Sequence, residues 1–317
     1  MHSILVTGGA GFIGSNLVES LLKRDDVGLV RVLDDLSTGY WENVREFQGN
    51  SKYEFIEGSI TDYSTCEKAL KGIDLVSHQA ALGSVPRSIE NPIRTNNVNV
   101  NGTLNILNAS KDLGVKRVVL AFSSSTYGDS KELPKVEDRI GRPLSPYAAS
   151  KVMCEHLAHV YHKTYGLDYI GLRYFNIFGP RQNPDNPYAA VIPIFCKAFI
   201  EGKPIIINGD GETSRDFTFV KNAVLANELA LFTEDENALN EVFNVACGEQ
   251  TSLNEMVRTL ERISRNKVEV NYKEERRGDV KFSLADISKI SNKLGYEPNI
   301  TFEEGLEDVY SWYKEQQ

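Results

Sequence analysis

Thr7-Gly8-Gly9-Ala10-Gly11-Phe12-Ile13-Gly14 is the stretch that decides the fold. It follows Ile4-Leu5-Val6, a short apolar run that reads as a buried strand, and it opens a helical pattern. Gly8 permits a tight turn, Gly11 lets the backbone approach a pyrophosphate, and Gly14 allows close packing of helix on strand. The helix start adds free amides and the positive end of a dipole for that phosphate. A glycine pattern alone is weak evidence; its context is what counts. Asp34 stands twenty residues after Gly14, at the end of the second predicted strand. A carboxylate there accepts hydrogen bonds from both hydroxyls of an adenosine ribose and repels a 2′-phosphate. The cofactor expected is therefore NAD rather than NADP.

Working outward, short apolar runs alternate with segments of helical period. The expected strands are Ser3–Thr7, Leu29–Asp34, Lys52–Glu57, Leu75–Gln79, Arg117–Phe122 and Asp168–Tyr174, and the intervening helical patterns are Asn16–Lys23, Tyr63–Leu70, Asn97–Leu113 and Tyr147–Tyr165. That alternation predicts βαβ units with right-handed crossovers, an α/β fold with a Rossmann-like doubly wound parallel sheet. After Asn176 the rhythm breaks, with proline and asparagine crowding Pro180–Pro187. We expect a smaller α+β substrate-binding domain from there, with Glu241–Ala246 returning as a strand to the large sheet. The division expected is residues 1–176 plus about 217–250 for the NAD-binding domain, and about 177–216 with 251–317 for the smaller one.

Composition narrows the function classes. A formal charge of −9 over 317 residues argues against a nucleic-acid surface, which needs a basic field. No apolar stretch is long enough to span a bilayer, and the N-terminal strand leads straight into the glycine turn instead of a signal peptide. The four cysteines, Cys66, Cys154, Cys196 and Cys247, show no paired spacing, which fits reduced thiols and a cytoplasmic protein. His156, His159 and His162 drift around their helix and read as a solvated or interface face, so no metal site is expected.

The chemistry-bearing residues cluster in the second quarter. Tyr147 and Lys151 fall at i, i+4 just after Pro146, on one helical face. An ammonium beside the phenol favours the phenolate, and oxidised nicotinamide adds positive charge, so Tyr147 is suited to general base work. Ser123-Ser124-Ser125-Thr126-Tyr127-Gly128 follows a strand that should end at the carboxyl edge of the sheet, where ligands of open α/β sheets bind. Ser125 is expected to hydrogen-bond the reacting hydroxyl and hand its proton to Tyr147.

Together with Tyr174-Phe175-Asn176, these motifs make the whole chain resemble the extended short-chain dehydrogenase/reductase superfamily. The runs His78–Ser88, Gly209–Phe217 and Ser283–Ser288 resemble UDP-N-acetylglucosamine 4-epimerases most. The resemblance implies a wider cofactor shell. To Gly8, Gly11, Phe12, Ile13, Gly14 and Asp34 it adds Asp35, Leu36, Ser37, Thr38, Gly39, Ser59 and Ile60 near the adenosine. Nearer the nicotinamide it adds Gln79, Ala80, Ala81, Asn99, Ser123, Tyr147, Lys151 and Phe175. It also implies a UDP-sugar site: Arg215 and Arg276 on the diphosphate, Asp279 on the uridine ribose, and Asn176 on a phosphate. Ala190, Val191, Ile206 and Asn208 would form the uracil slot, and Gly83, Ser84, Arg87, Ser124 and Ser125 would stand around the sugar.

Ser283 bears on substrate choice. Relatives restricted to UDP-glucose and UDP-galactose carry a bulky tyrosine at the matching position, so a serine leaves room for an N-acetyl group. The resemblance thus implies 4-epimerisation of UDP-N-acetylglucosamine through a transient 4-keto sugar, with a homodimer as the assembly. Two alternatives stay open: a UDP-uronic acid held by Ser84 and Arg87, and a non-catalytic NAD-binding scaffold. Related 4,6-dehydratases carry an Asp-Glu pair directly after the catalytic serine or threonine. Here Thr126 and Tyr127 follow Ser125.

Overall fold

The computed structural model describes residues 1–184, 190–275 and 281–316. Seven parallel strands form the central sheet: β1 (His2–Thr7), β2 (Val27–Asp34), β3 (Tyr53–Glu57), β4 (Leu75–His78), β5 (Arg117–Ser123), β6 (Asp168–Tyr174) and β7 (Glu241–Val245). Their spatial order is β7-β6-β5-β4-β1-β2-β3. The order reverses where β1 lies between β2 and β4, and the crevice at their carboxyl ends is where such sheets take ligands.

Alternation along each strand feeds two faces. Ile4 and Val6 of β1 pack with Leu17, Val18 and Leu21 of α1 (Phe12–Leu22), and Leu5 joins the opposite cluster. That second cluster contains Cys66 and Leu70 of α2 (Tyr63–Leu70). Between β4 and β5 run two short helices, α3 (Val85–Glu90) and α4 (Pro92–Asn96), and then the longer α5 (Gly102–Asp112). Ile106 and Leu107 of α5 enter the second cluster beside Cys154 and Ala158 of α6 (Pro146–Tyr165). The single helix expected from Asn97 to Leu113 is instead divided: a wide turn over Asn97–Asn101 joins α4 to α5. Such wide turns inside helices concentrate at functional sites.

The second half builds its own core. Phe195 and Phe199 of α7 (Val191–Glu201) meet Phe178, Ile205, Ile207 and Phe219. α8 (Val220–Phe232) returns to the first face of the large sheet through Ala223, Ala226 and Ala230. α9 (Leu253–Ser264) brings Met256 and Leu260 to the smaller core, and Ile290 of α10 (Ser288–Leu294) joins the large one. Leu306 and Val309 of α11 (Phe302–Glu315) close the small lobe. Among the described residues, no helix is long and apolar enough to cross a membrane.

Candidate active site

The cradle at the end of β1 is built for close approach. Gly8 has φ +69°, and a Cβ there would lie 2.7 Å from the Ala80 backbone. A Cβ on Gly14 would stand 2.2 Å from the Gly8 carbonyl, so α1 starts as near the turn as it does only because both residues lack side chains. Asp34 at the end of β2 is buried. Its Oδ2 accepts from Ala10 N and its Oδ1 from Leu36 N, both at 2.9 Å. Burial raises this carboxyl from its usual range, against the two amide bonds that lower it.

These groups open onto a cleft of about 480 Å³. It is lined by Gly8, Gly11, Phe12, Ile13, Gly14, Asp34, Asp35, Ser37, Thr38, Gly39, Ile60, Gln79, Ala80, Ala81, Gly83, Ser123, Ser124, Tyr147, Lys151 and Asn176. The glycine turn, the acidic strand end, the serine loop and the tyrosine–lysine pair therefore share one wall-to-wall space. A long, bent, phosphate-bearing dinucleotide fits that donor set: backbone amides at a helix start, then a carboxylate one strand away.

Tyr147 and Lys151 owe their placement to the start of α6. Ser145 caps it, accepting from Ala148 N at 3.1 Å, and Pro146 occupies the first turn, where its missing N–H costs nothing. Lys151 is buried, donates Nζ to Ala121 O at 2.8 Å, and holds Nζ 6.0 Å from the centre of the Tyr147 ring. The ammonium is thereby fixed between β5 and the phenol. His78, at the end of β4, lies buried between Thr7 Oγ1 (2.7 Å) and Thr103 Oγ1 (3.0 Å). Burial, with Lys151 adding, pushes its imidazole down to about 3, so it stays neutral and leaves Lys151 as the local cation. His78 carried no assigned role in the sequence; a histidine closing a buried strand was the available sign.

Several expected residues sit elsewhere. Ser125 does not line the cleft: its Oγ is buried without a hydrogen-bond partner, whereas Ser123 and Ser124 face the space. The cause is local. Ser123 Oγ accepts from Ser125 N at 3.1 Å and starts a short 3-10 turn over Ser124–Tyr127, which rolls the third serine under the loop. Asn99 is buried behind the cleft wall, where its amide pairs with Leu82 N (2.8 Å) and Ser150 Oγ (3.0 Å). Phe175 is fully buried against Tyr127, 5.9 Å between ring centres. Leu36 and Ser59 are also outside the lining, Ser59 bonding Thr61 at 3.0 Å. Ser84 caps α3 by accepting from Arg87 N at 3.2 Å, and Arg87 lines a separate hollow with Glu90, Asn91 and Arg94. The lining not anticipated includes Leu33, Gly58, Val98, Ala121, Phe122, Tyr174 and Ile177.

A second cavity, of about 390 Å³, meets the first at Asn176 and Ile177. Ala190, Val191, Ile206, Asn208 and Arg215 line it as expected from sequence, and Ile192, Phe195, Phe217 and Leu253 complete an apolar wall that was not foreseen. Asn176, at φ +39°, gives its amide to Asp216 O at 3.1 Å. Asp216 is buried and pushed up to about 6 by that burial. Its carboxylate accepts from Cys247 N (3.0 Å), Gly248 N (3.1 Å) and Ala285 N (3.2 Å). It thus ties the Arg215 strand to the segment carrying Ser283, whose N–H bonds Ser214 O at 3.2 Å. Ser283 is half-buried. Arg276 and Asp279 lie outside the described residues.

With this geometry in place, comparison with known proteins is direct. The family profile described as GDP-mannose 4,6 dehydratase matches residues 5–309. The chain belongs to that family, within the extended short-chain dehydrogenase/reductases. A UDP-N-acetylglucosamine 4-epimerase from Methanobrevibacter ruminantium, solved with UDP-N-acetylmuramic acid, is 40% identical with a TM-score of 0.93, over 100% of this chain and 99% of that one. A UDP-glucose 4-epimerase from Thermotoga maritima, solved with UDP-glucose, is 37% identical with a TM-score of 0.92, covering 99% of each. A UDP-glucuronic acid 4-epimerase from Bacillus cereus, solved with UDP-glucuronic acid and NAD, is 34% identical with a TM-score of 0.92, over 99% of this chain and 100% of that one. Membership of the dehydratase-named family does not bring its acid–base pair. Whichever serine of Ser123–Ser125 is counted from, the next two residues are serine, threonine or tyrosine.

Proposed function

We propose that this chain is an NAD-dependent UDP-N-acetylglucosamine 4-epimerase, interconverting UDP-N-acetylglucosamine and UDP-N-acetylgalactosamine and also accepting UDP-glucose and UDP-galactose. At the coarser level it is an isomerase, a UDP-sugar 4-epimerase that uses NAD, like its relatives. The observation that carries the reading is the junction at Asn176. There a glycine-turned cleft holding Tyr147 and Lys151 opens into an apolar cavity holding Arg215. A dinucleotide in the first and a nucleotide in the second place the sugar between them, beside the phenol.

In the cleft lined by Gly8, Gly11, Gly14 and Asp34, bound NAD would supply reversible hydride acceptance at sugar carbon 4. The residues of this chain do the rest. Tyr147 removes the proton of the 4-hydroxyl, and the fixed ammonium of Lys151 favours the phenolate that makes this feasible. The serine contact to that hydroxyl falls to Ser123 or Ser124, which line the cleft, and not to Ser125. Arg215 binds diphosphate oxygens with its planar fork, assisted by Arg276, while Asp279 takes the uridine ribose. Ala190, Val191, Ile206 and Asn208 hold the uracil. Tight grip on the UDP with loose contact to the sugar lets the flat 4-keto intermediate turn over and present its other face. Exposed Leu104 of α5 and Met153 and Val160 of α6 support a homodimer through those helices.

Relatives acting on acetylated, plain and uronic sugars are comparably similar, so the choice rests on Ser283, Ser84 and Arg87. Ser283 lines neither cavity, and its part in the reading comes from the resemblance, in which relatives restricted to UDP-glucose and UDP-galactose carry a bulky tyrosine at the matching position. Ser84 and Arg87, the pair considered for a uronic carboxylate, line neither cavity. Ser283→Tyr is expected to cut turnover of UDP-N-acetylglucosamine by ~10–200-fold, the discrimination a filled pocket supplies, while sparing UDP-glucose. Initial rates of 4-epimer formation on both sugars check this, and equal retention of both activities would remove Ser283 as the determinant.

A further inference from the structure

The stretch Gly179–Pro184 follows Ile177–Phe178, a short strand paired with Thr218–Phe219, and it reaches back to the adenosine side of the first cavity. Asn16 of α1 donates Nδ2 to Phe12 O at 2.8 Å and to Pro180 O at 3.2 Å. Arg181 has φ +68°, a left-handed backbone that a non-glycine residue keeps only where its surroundings over-determine it. Its guanidinium, with the side chain 12% exposed, gives Nη2 to Glu19 Oε2 of α1 at 2.8 Å and to Glu46 Oε1 at 2.7 Å. Asn183 donates to Tyr40 OH at 2.6 Å, and Tyr313 of α11 donates its hydroxyl to Gln182 O.

Tyr40 and Glu46 belong to the loop that begins with Asp35, Ser37, Thr38 and Gly39, which line the cleft beside Asp34. That loop has two anchors. On its inner side Tyr40 N (3.0 Å) and Asn43 Nδ2 (2.9 Å) both donate to Ala10 O, in the glycine turn itself. On its outer side Arg181 and Asn183 hold it. An adenosine bound at Asp34 would meet Asp35, Ser37, Thr38 and Gly39, the start of this loop, so the loop's anchors bear on its release.

We propose that Arg181 is a cofactor-retaining residue: it clamps the Tyr40–Phe47 loop to α1 and so sets how long NAD stays bound. The inference rests on the NAD reading above. Chemistry gives the clamp a purpose. In a redox-neutral cycle the hydrogen removed from the sugar must return to it, so loss of the reduced cofactor in mid-cycle strands an oxidised sugar. A single exposed ion pair is a weak tie, and Glu46 is 61% exposed. Arg181 is enclosed, however, and one of its nitrogens, Nη2, serves two carboxylates from different elements at once.

The test loads protein with NAD, dilutes it into an enzymatic trap for free NAD, and follows release. Arg181→Met, which keeps the apolar stem and removes the charge, is expected to release NAD about 10-fold faster, equivalent to ~1.4 kcal/mol of retention. Glu46→Gln and Tyr40→Phe, at exposed positions, should each accelerate release by a smaller factor. The rise in unfolding midpoint produced by NAD should shrink in Arg181→Met, with the NAD-free midpoint nearly unmoved. A purely structural arginine would instead lower the NAD-free midpoint and leave release unchanged. Release at the parent rate in a folded Arg181→Met overturns the clamp. If that variant does not fold, parent-rate release in both Glu46→Gln and Tyr40→Phe overturns it equally. If the parent protein retains no NAD at all, the cofactor reading falls and the clamp with it.

Discussion

Tyr147→Phe is expected to lower kcat by ~10²–10⁴-fold, the range that removal of a positioned general base produces. The substitution takes away one hydroxyl and little else. The ring stays, α6 still starts at the Ser145 cap, and Lys151 remains fixed to Ala121 O at 2.8 Å. UDP-sugar affinity, which the proposed function assigns to Arg215 and the apolar cavity, should change far less, so the loss should appear in kcat more than in KM. Steady-state rates on UDP-N-acetylglucosamine with NAD present measure both. A kcat within about threefold of the parent, well short of what a general base supplies, would remove Tyr147 from the reaction and revive a non-catalytic NAD-binding role.

Arg173→Met should be the most damaging substitution for stability. Arg173, on β6, is buried, and its guanidinium gives Nε and Nη2 to the two carboxylate oxygens of Glu155 at 2.9 and 2.7 Å. Nη1 reaches Tyr127 OH at 3.1 Å and Glu137 O at 2.8 Å. Burial acts to lower this guanidinium's basicity, yet the bonds to Glu155 outweigh it and hold the group firmly charged. The group therefore grips the catalytic helix through Glu155, one turn beyond Lys151, and the serine loop through Tyr127. Removing it strands a carboxylate that is only 11% exposed. The expected cost is ~3–5 kcal/mol, read from urea unfolding with an unchanged denaturant slope. Adding Glu155→Met should recover part of that loss, because the stranded charge goes too. A single-variant cost below ~1 kcal/mol would place this pair among weak surface bridges.

The readable parts of the site were those whose chemistry is local. A glycine turn between strand and helix, a carboxylate closing the next strand and a Tyr-x-x-x-Lys start of helix each declare themselves within a few residues. The same locality made the parallel sheet legible, since helical segments of clear period separate successive strands through β6, β2 and β3 excepted. Orientation inside a loop was not legible. Ser123, Ser124 and Ser125 are identical side chains in a row, and only the capping bond from Ser125 N to Ser123 Oγ decides which of them face the cleft. Asn99 looked like a ligand contact and proved to be a wall tie, because the wide turn between α4 and α5 aims its amide at Leu82. The apolar wall of the second cavity, with Phe195, Phe217 and Leu253, comes from three distant segments and carries no motif. Arg181 was equally silent: its partners, Glu19 and Glu46, are 162 and 135 residues away.

The central claim is that the hydrogen leaving sugar carbon 4 returns to the same sugar without net oxidation. The direct measurement uses UDP-N-acetylglucosamine carrying deuterium at carbon 4, incubated with NAD-loaded protein and no added cofactor. The account predicts UDP-N-acetylgalactosamine with the deuterium still at carbon 4 and no build-up of reduced cofactor. A 4-keto sugar or dehydrated product accumulating with reduced NAD, or a 4-epimer whose label has washed out to solvent, would contradict it.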